Sequence, residues 1–367
     1  MREHGTRLIR RDRSGIHARE LPGLHALTSP TDDPGNVAAA SRDHASAPQV
    51  DALTADQTPV VTGPIAFAIG RALLHRRFGR HAPPSDRLLV TGEQLAALED
   101  DLRSTTAAPR QRSVGAAPGA VDILTGVARL RILTERWGVD AVRMSHARVA
   151  EGQILDALGL DPPVMSPVAA ERACSDHART TAALAESLVD ALAPSYGWSA
   201  IARNLVRDAS LLHDLAGGHQ RGGAHRAGAV ELLRDGVRGR DPEQVVELAS
   251  LVRFHRGRPP GPHFGPFGRL SATRRSLVTE LTGILRLACA LDRGQDGAVT
   301  AVRADVDPTL ICIHAFGDRP LDLAVHAMHG DQHVLSTALG RRVVVHDAGR
   351  PPARLHASAS FPAAANV

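Results

Sequence analysis

The chain has 367 residues, 43% of them hydrophobic, enough for two or three domains and a sizeable core, which excludes disorder throughout. All 43 of its Lys+Arg residues are arginine, 39 acidic residues are interspersed among them, the net charge is only +4, and with 3% aromatics there is little to stack bases on, so a nucleic-acid partner is not expected. Cys174, Cys289 and Cys312 lie far apart and form no CxxC pair, which indicates neither a disulfide framework nor a thiolate zinc site and fits a reducing cytoplasm.

The N-terminus MREHGTRLIRRDR is positively charged but has no apolar stretch behind it, and the best apolar run, Pro64 to Leu74, is short and interrupted by Arg71. Neither a signal peptide nor a membrane span is expected. Residues 1–57 mix Ser, Thr, Pro, Gly, Asp and Arg without apolar periodicity, which predicts a disordered tail. Over 58–160 the pattern is mixed and mostly helical: GPIAFAIGRALLHRRF, then TGEQLAALEDDL with Thr91 as its cap, then ILTGVARLRILTERWG ending on Gly138. DAVRMS reads as a short strand, EGQILDALG as another helix, and the prolines of LDPPVMSP as a hinge. From Val168 to Arg293 the pattern is helical, broken by loops at GGHQRGG and GRPPGPHFGPFG. Beyond it, TAVRADV, TLICIHAF and RRVVVHD alternate as strands around a helix from Leu321 to Leu339, and residues 349–367 read as a second tail. The expected fold is therefore mainly α: a helical bundle over 165–300, preceded by a mixed helical segment and followed by a small α/β cap over 301–348.

Helical geometry makes certain polar residues of the bundle stand out, because positions three, four, seven or eleven apart share one face. His177 lies on the stripe of Leu184, Leu188 and Leu192. His213 continues that of Val206 and Ala209, and His225 shares a face with Ala229, Leu232 and Leu233. His255 follows Leu248, Leu251 and Val252, and Asp292 follows Leu281, Leu285 and Ala288. Any one of these alone reads as a core residue bonded to backbone. Together, four imidazoles with Asp214 and Asp292 supply the mixed nitrogen and oxygen ligands of a divalent ion, and a buried Asp292 is costly unless paired or metal-bound.

His177, the adjacent pair His213 and Asp214, and the distant Asp292 resemble the H, HD and D elements of the HD superfamily of metal-dependent phosphohydrolases, with His225 and His255 where larger sets in that superfamily add histidines. More narrowly, SLLHDLAGG, AHRAGAVELL, LVRFHRGRPP and LTGILRLACALDR are similar, in order, to the helical second half of the exopolyphosphatase and guanosine pentaphosphatase (Ppx/GppA) family. GVDAVRMSHARVAEGQILDAL resembles the segment just before that domain, and residues 300–346 resemble the family's small C-terminal domain, so the resemblance covers residues 88–346. Family members begin with an actin-like, two-lobed ATPase-type domain carrying a DxGS-like phosphate loop, a catalytic glutamate and a GG[ST] turn. None is visible here, Gly115 and Gly119 do not form such a turn, and residues 58–160 read as a degenerate remnant of the second lobe. Ala227 is a further departure, standing where relatives often have another histidine.

The resemblance implies a metal-dependent phosphohydrolase. One or two divalent ions (manganese, iron or magnesium) would be held by His177, His213, Asp214, His225, His255 and Asp292, with Asp214 and His225 as the catalytic pair. Arginines ring these positions: Arg221 and Arg226 beside the glycine loop, Arg253, Arg256 and Arg258 around His255, and Arg286 and Arg293 around Asp292. In a phosphohydrolase such groups would clamp phosphate, and Arg226, Arg253 and Arg256 are taken as the phosphate-binding set. The substrate class implied is polyphosphate, guanosine penta- or tetraphosphate, or another nucleotide. The other reading is a non-catalytic nucleotide- or polyphosphate-binding module that dimerises, because in the family the actin-like domain is catalytic and the helical domain helps bind and dimerise. His326, His329 and His333 lie on one stripe of the late helix at spacings compatible with zinc, but no acidic or cysteine ligand completes them and they read as solvent-facing. His219 and His263 read as loop residues, and no Gly-x-Ser-x-Gly, Walker or dinucleotide fingerprint occurs.

Overall fold

A computed structural model describes residues 6–12, 15–21, 58–104, 120–145, 175–216 and 223–350. The chain divides into two compact units, Met1–Pro162 and Pro163–Val367.

In the first unit, β1 (Thr6–Asp12) pairs antiparallel with β2 (Gly15–Leu21), with Asp12 opposite Gly15. This corrects the expectation of a tail without elements over 1–57. TRLIRRD and GIHAREL are too polar to show a clean period of two, yet their pairing is so local that closing the loop costs little chain entropy. The rest of that segment lies outside the described residues, as do EGQILDALG and LDPPVMSP.

A three-stranded sheet follows in the order β3–β5–β4, formed by β3 (Val60–Thr62), β4 (Leu89–Thr91) and β5 (Ala141–Ser145). β5 is parallel to β3 and antiparallel to β4. Helices α1 (Pro64–Phe78), α2 (Gly92–Ser104) and α3 (Ala120–Trp137) bury Ile69, Leu95, Leu98, Ile123 and Val127 against Val90, Val142 and Met144 of the strands. Local signals set the helix ends. Proline opens α1; Thr91 and Gln94 exchange side-chain and backbone hydrogen bonds as a capping box before α2; and Gly138, at φ +63°, closes α3.

The second unit is a bundle of α4 (Asp176–Tyr196), α5 (Ala200–Leu212), α6 (Ala224–Asp235), α7 (Pro242–Phe254), the short α8 (Gly265–Gly268) and α9 (Ala272–Leu291). The side chains of Ser175 and Ser271 cap α4 and α9, and Asp241 and Gln244 form a capping box at α7. The unbroken buried runs Val245–Val252 in α7 and Leu281–Leu291 in α9 mark these as the central helices, while α4, α5 and α6 each bury one face around them. β6 (Ala301–Val306), β7 (Leu310–Phe316), α10 (Asp322–Leu339) and β8 (Arg342–Asp347) complete the unit. β7 is antiparallel to β6 and parallel to β8, with α10 as the crossover. The fold is mainly α, as expected, and among the described residues no helix is long and apolar enough to cross a membrane.

α10 packs on α9 through a glycine. A Cβ added at Gly283 would lie 2.7 Å from both Cα and Cβ of Leu335, so the two helices approach there at backbone distance. Gly283→Ala is therefore expected to lower unfolding free energy by about 1–3 kcal/mol through overpacking. Gly330→Ala, on the exposed side of α10 with nothing within 4 Å, should raise it by up to about 1 kcal/mol through helix propensity. Denaturant titration of both variants measures the contrast.

Candidate metal centre

The bundle gathers its ionisable residues where two helices begin and three end. His177 is the second residue of α4 and His225 the second of α6, while His213, His255 and Asp292 are the C-cap residues of α5, α7 and α9. The last carbonyls of a helix lack intrahelical partners and carry partial negative charge, so this arrangement favours a cation and offers acceptors to nearby rings.

Those acceptors decide which ring nitrogen carries hydrogen. His213 Nδ1 lies 2.6 Å from the Ser210 carbonyl and His255 Nδ1 lies 2.7 Å from the Val252 carbonyl, each three residues back along its helix. A carbonyl can only accept, so both rings donate from Nδ1 and turn the lone pair of Nε2 away from the helix end. Asp292 Oδ2 does the same for His177, accepting from Nδ1 at 2.7 Å. The Nε2 atoms of His177 and His213 then face each other at 3.2 Å, a gap they share only with a proton or a cation between them. His255 Nε2 is buried with no hydrogen-bond partner among the described residues. Asp214 brings Oδ2 to 3.4 Å from His213 Nε2, and the ligand atoms of His177, His213 and Asp214 all lie within 4.8 Å of one another. An orphaned imidazole nitrogen, two opposed lone pairs and a carboxylate in one buried corner fit a divalent ion bound by nitrogen and oxygen.

Residues 174–313 match the family model described as Ppx/GppA phosphatase, domain III. This segment is similar to that family's domain III. Against curated proteins the chain finds no match.

Within this segment the six residues proposed as ligands occupy different places. His177, His213 and Asp214 converge. The His255 ring meets His213 edge-on at 5.2 Å between centroids, and His225 lies beyond it at 6.1 Å. Asp292, expected as a direct ligand, spends Oδ2 on His177, and its Oδ1 accepts from the Gly297 amide at 3.3 Å. As the C-cap of α9 it faces the start of α4, which brings its carboxylate to the His177 ring.

Charge in this segment follows burial and neighbours. Asp214 is held well below the usual carboxylate range, first by the hydrogen bond that His213 Nε2 donates once that ring is protonated and also by Arg256, whose guanidinium is 3.9 Å away, against a burial effect that raises it. Burial, reinforced by His213 and Arg256, pushes His255 well below the ordinary imidazole value. His225 is lowered by burial and by Arg253, Arg226, Arg256 and Arg286. Burial pushes the Cys289 thiol up to about 12, so it offers no thiolate.

The arginines divide into two groups. Arg256 and Arg226 are exposed, Arg253 is half-buried with its guanidinium 5.8 Å over the Phe254 ring, and Arg226 and Arg253 make no ion pair among the described residues. Arg286 departs from the expectation of a phosphate clamp. It is buried, and its donors go to the carbonyls of Phe254, Gly257 and Arg258, because it points from α9 into the bundle instead of toward its mouth. Arg221 and His219 lie outside the described residues. His263 is exposed, and His326, His329 and His333 are exposed on α10 as expected. Sequence reasoning missed the Ser210 and Val252 carbonyls, for which no side chain gives a signal. It also missed the role of Arg286, which a cation in the apolar run ILRLACAL could have flagged.

Acid should destabilise the metal-free protein in two stages. His255 binds its proton less readily when folded than when unfolded, so as pH falls below about 6.5 the unfolded state takes up protons first and stability drops, with a slope approaching about 1.4 kcal/mol per pH unit from this ring. Asp214, depressed in the folded state, contributes stability above the usual carboxylate range and loses it as pH falls below about 4. His255→Asn keeps a donor for Val252 and removes Nε2, so thermal unfolding of chelated protein between about pH 7.5 and 5 should lose part of its pH dependence in this variant.

Proposed function

We propose that the domain III-like segment of this chain is a metal-dependent phosphohydrolase centre of the HD type. The observation that carries this reading is the convergence of His177, His213 and Asp214, whose ligand atoms lie within 4.8 Å of one another, next to the ring of His255 with its unpartnered Nε2. His177, His213, Asp214 and His255 would hold a divalent cation, and the mixed set suits manganese or iron. When bound, the cation supplies water activation and neutralisation of phosphate charge.

The remaining work belongs to the chain's own groups. Asp292 keeps the His177 ring turned so that Nε2 faces Asp214. His225, neutral at physiological pH and less enclosed than His255, stands where it can accept a proton from water or return one to a leaving oxygen. Arg226, Arg253 and Arg256 make the mouth electropositive, and their planar forks match phosphate oxygens in pairs. The substrate this supports is a phosphoanhydride or phosphate ester with several negative charges: polyphosphate, guanosine penta- or tetraphosphate, or another nucleotide.

In chelator-treated protein, added manganese should raise the melting temperature in a concentration-dependent way and restore hydrolysis of a phosphate substrate. Asp214→Asn, which preserves shape while removing an anionic ligand, should abolish both responses. Asp292→Ala should weaken metal binding by about 10–100-fold by freeing the His177 ring. Metal and polyphosphate binding without hydrolysis would make this a binding module. If wild type shows no metal-dependent shift and Asp214→Asn melts higher, the centre is only a buried charge that the substitution relieves.

A further inference from the structure

We infer that Arg286 is a positioning residue of the centre, gripping the end of α7 on both sides of His255 and Arg256; this rests on the metal-centre reading above. Arg286 is 3% exposed, and a buried guanidinium is tolerated only when its donors are answered. Nε donates to the Phe254 carbonyl at 2.9 Å, Nη2 donates to the carbonyls of Gly257 at 2.8 Å and Arg258 at 3.1 Å, and Nη1 lies 4.0 Å from Asp331 Oδ1 on α10.

The acceptors bracket two residues that face the centre. Phe254 immediately precedes His255, and Gly257 immediately follows Arg256. His255 carries the orphaned Nε2, and Arg256 reaches to 3.9 Å from Asp214. Gly257, at φ +75°, makes the turn that brings these carbonyls back toward α9, and a Cβ built on it would stand 3.8 Å from His225 Nε2. One planar group thus fixes a segment that touches two imidazoles and one phosphate-facing arginine. A lysine presents a point charge with a different donor geometry and cannot reproduce the fork. The contrasting role is a plain helix cap, in which Arg286 satisfies the loose carbonyls of α7 for stability and has no bearing on the centre. The two roles separate when metal coordination is measured independently of stability.

The test uses the full chain, treated with chelator and titrated with cobalt(II), whose visible absorption reports the number and geometry of its ligands. Wild type, Arg286→Lys and Arg286→Gln are compared at a temperature where circular dichroism shows each folded. Arg274→Gln serves as control: Arg274 also lies on α9, about 18 Å along the helix from Arg286, and pairs with the buried Glu247 at 2.5 Å. Both Arg286 variants should bind cobalt at least about tenfold more weakly, with altered visible bands. Arg274→Gln should lose stability while keeping wild-type affinity and spectrum. Wild-type affinity and spectrum in a folded Arg286 variant would overturn the inference and leave the metal centre standing. A wild type that takes up no cobalt would overturn the centre and this inference with it. Should neither Arg286 variant fold, Asp331→Asn removes the counter-charge from the far side; a severalfold loss of cobalt affinity supports the inference, and an unchanged affinity overturns it.

Discussion

Each imidazole with a bare Nε2 in this bundle has already committed its one hydrogen. His213 and His255 give theirs to carbonyls left over at the ends of their own helices, and His177 gives its own to Asp292. What remains toward the interior is a set of lone pairs without hydrogens beside a carboxylate, an arrangement that is repulsive without a cation and strongly attractive to one. The rest of the second unit can be read as the framework that holds this condition. α7 and α9 run buried through the bundle, α4 begins where His177 meets the His213 ring, and α6 begins where His225 meets the His255 ring.

Arginine appears in this chain in two physical roles that composition alone does not separate. Arg226 and Arg253, without an ion pair among the described residues, and Arg256, beside Asp214, add to burial in depressing the proton affinity of His225, so the same residues that would attract a phosphate also keep a nearby base unprotonated. Inside, Arg286 spends its donors on backbone and is balanced by Asp331, which also lies 3.4 Å from Arg293. That link ties α10 to the loop after α7. With the glycine contact between α9 and α10, it makes the terminal α/β layer part of the support of the centre.

The match to a Ppx/GppA domain III covers the bundle and the first strands of the terminal sheet, the part of the chain that holds every residue of the candidate site. The cluster of His177, His213 and Asp214 lies within the segment that matches this phosphatase-family domain. The first unit has its own apolar core and a buried carboxylate, Glu99, held by Arg103 and Arg131.

By itself the sequence determined the helical character of the bundle, the three strands and late helix after it, and the identity of the ionisable residues on buried faces. Periods of 3.6 and 2 and the capping residues Thr91 and Gly138 are local quantities, written within a few positions of where they act. The hairpin at Thr6–Leu21 escaped because backbone pairing needs little apolar pattern. The tertiary structure alone decided which nitrogen each ring presents, because the acceptors are backbone carbonyls with no signature in the side-chain sequence. It likewise decided that Asp292 meets the His177 ring and that Arg286 faces inward, since both depend on how the end of one helix meets the start or end of another. Helical periodicity assigns a residue to a buried face; the partner it finds there is set by packing between segments up to 115 positions apart, as for His177 and Asp292.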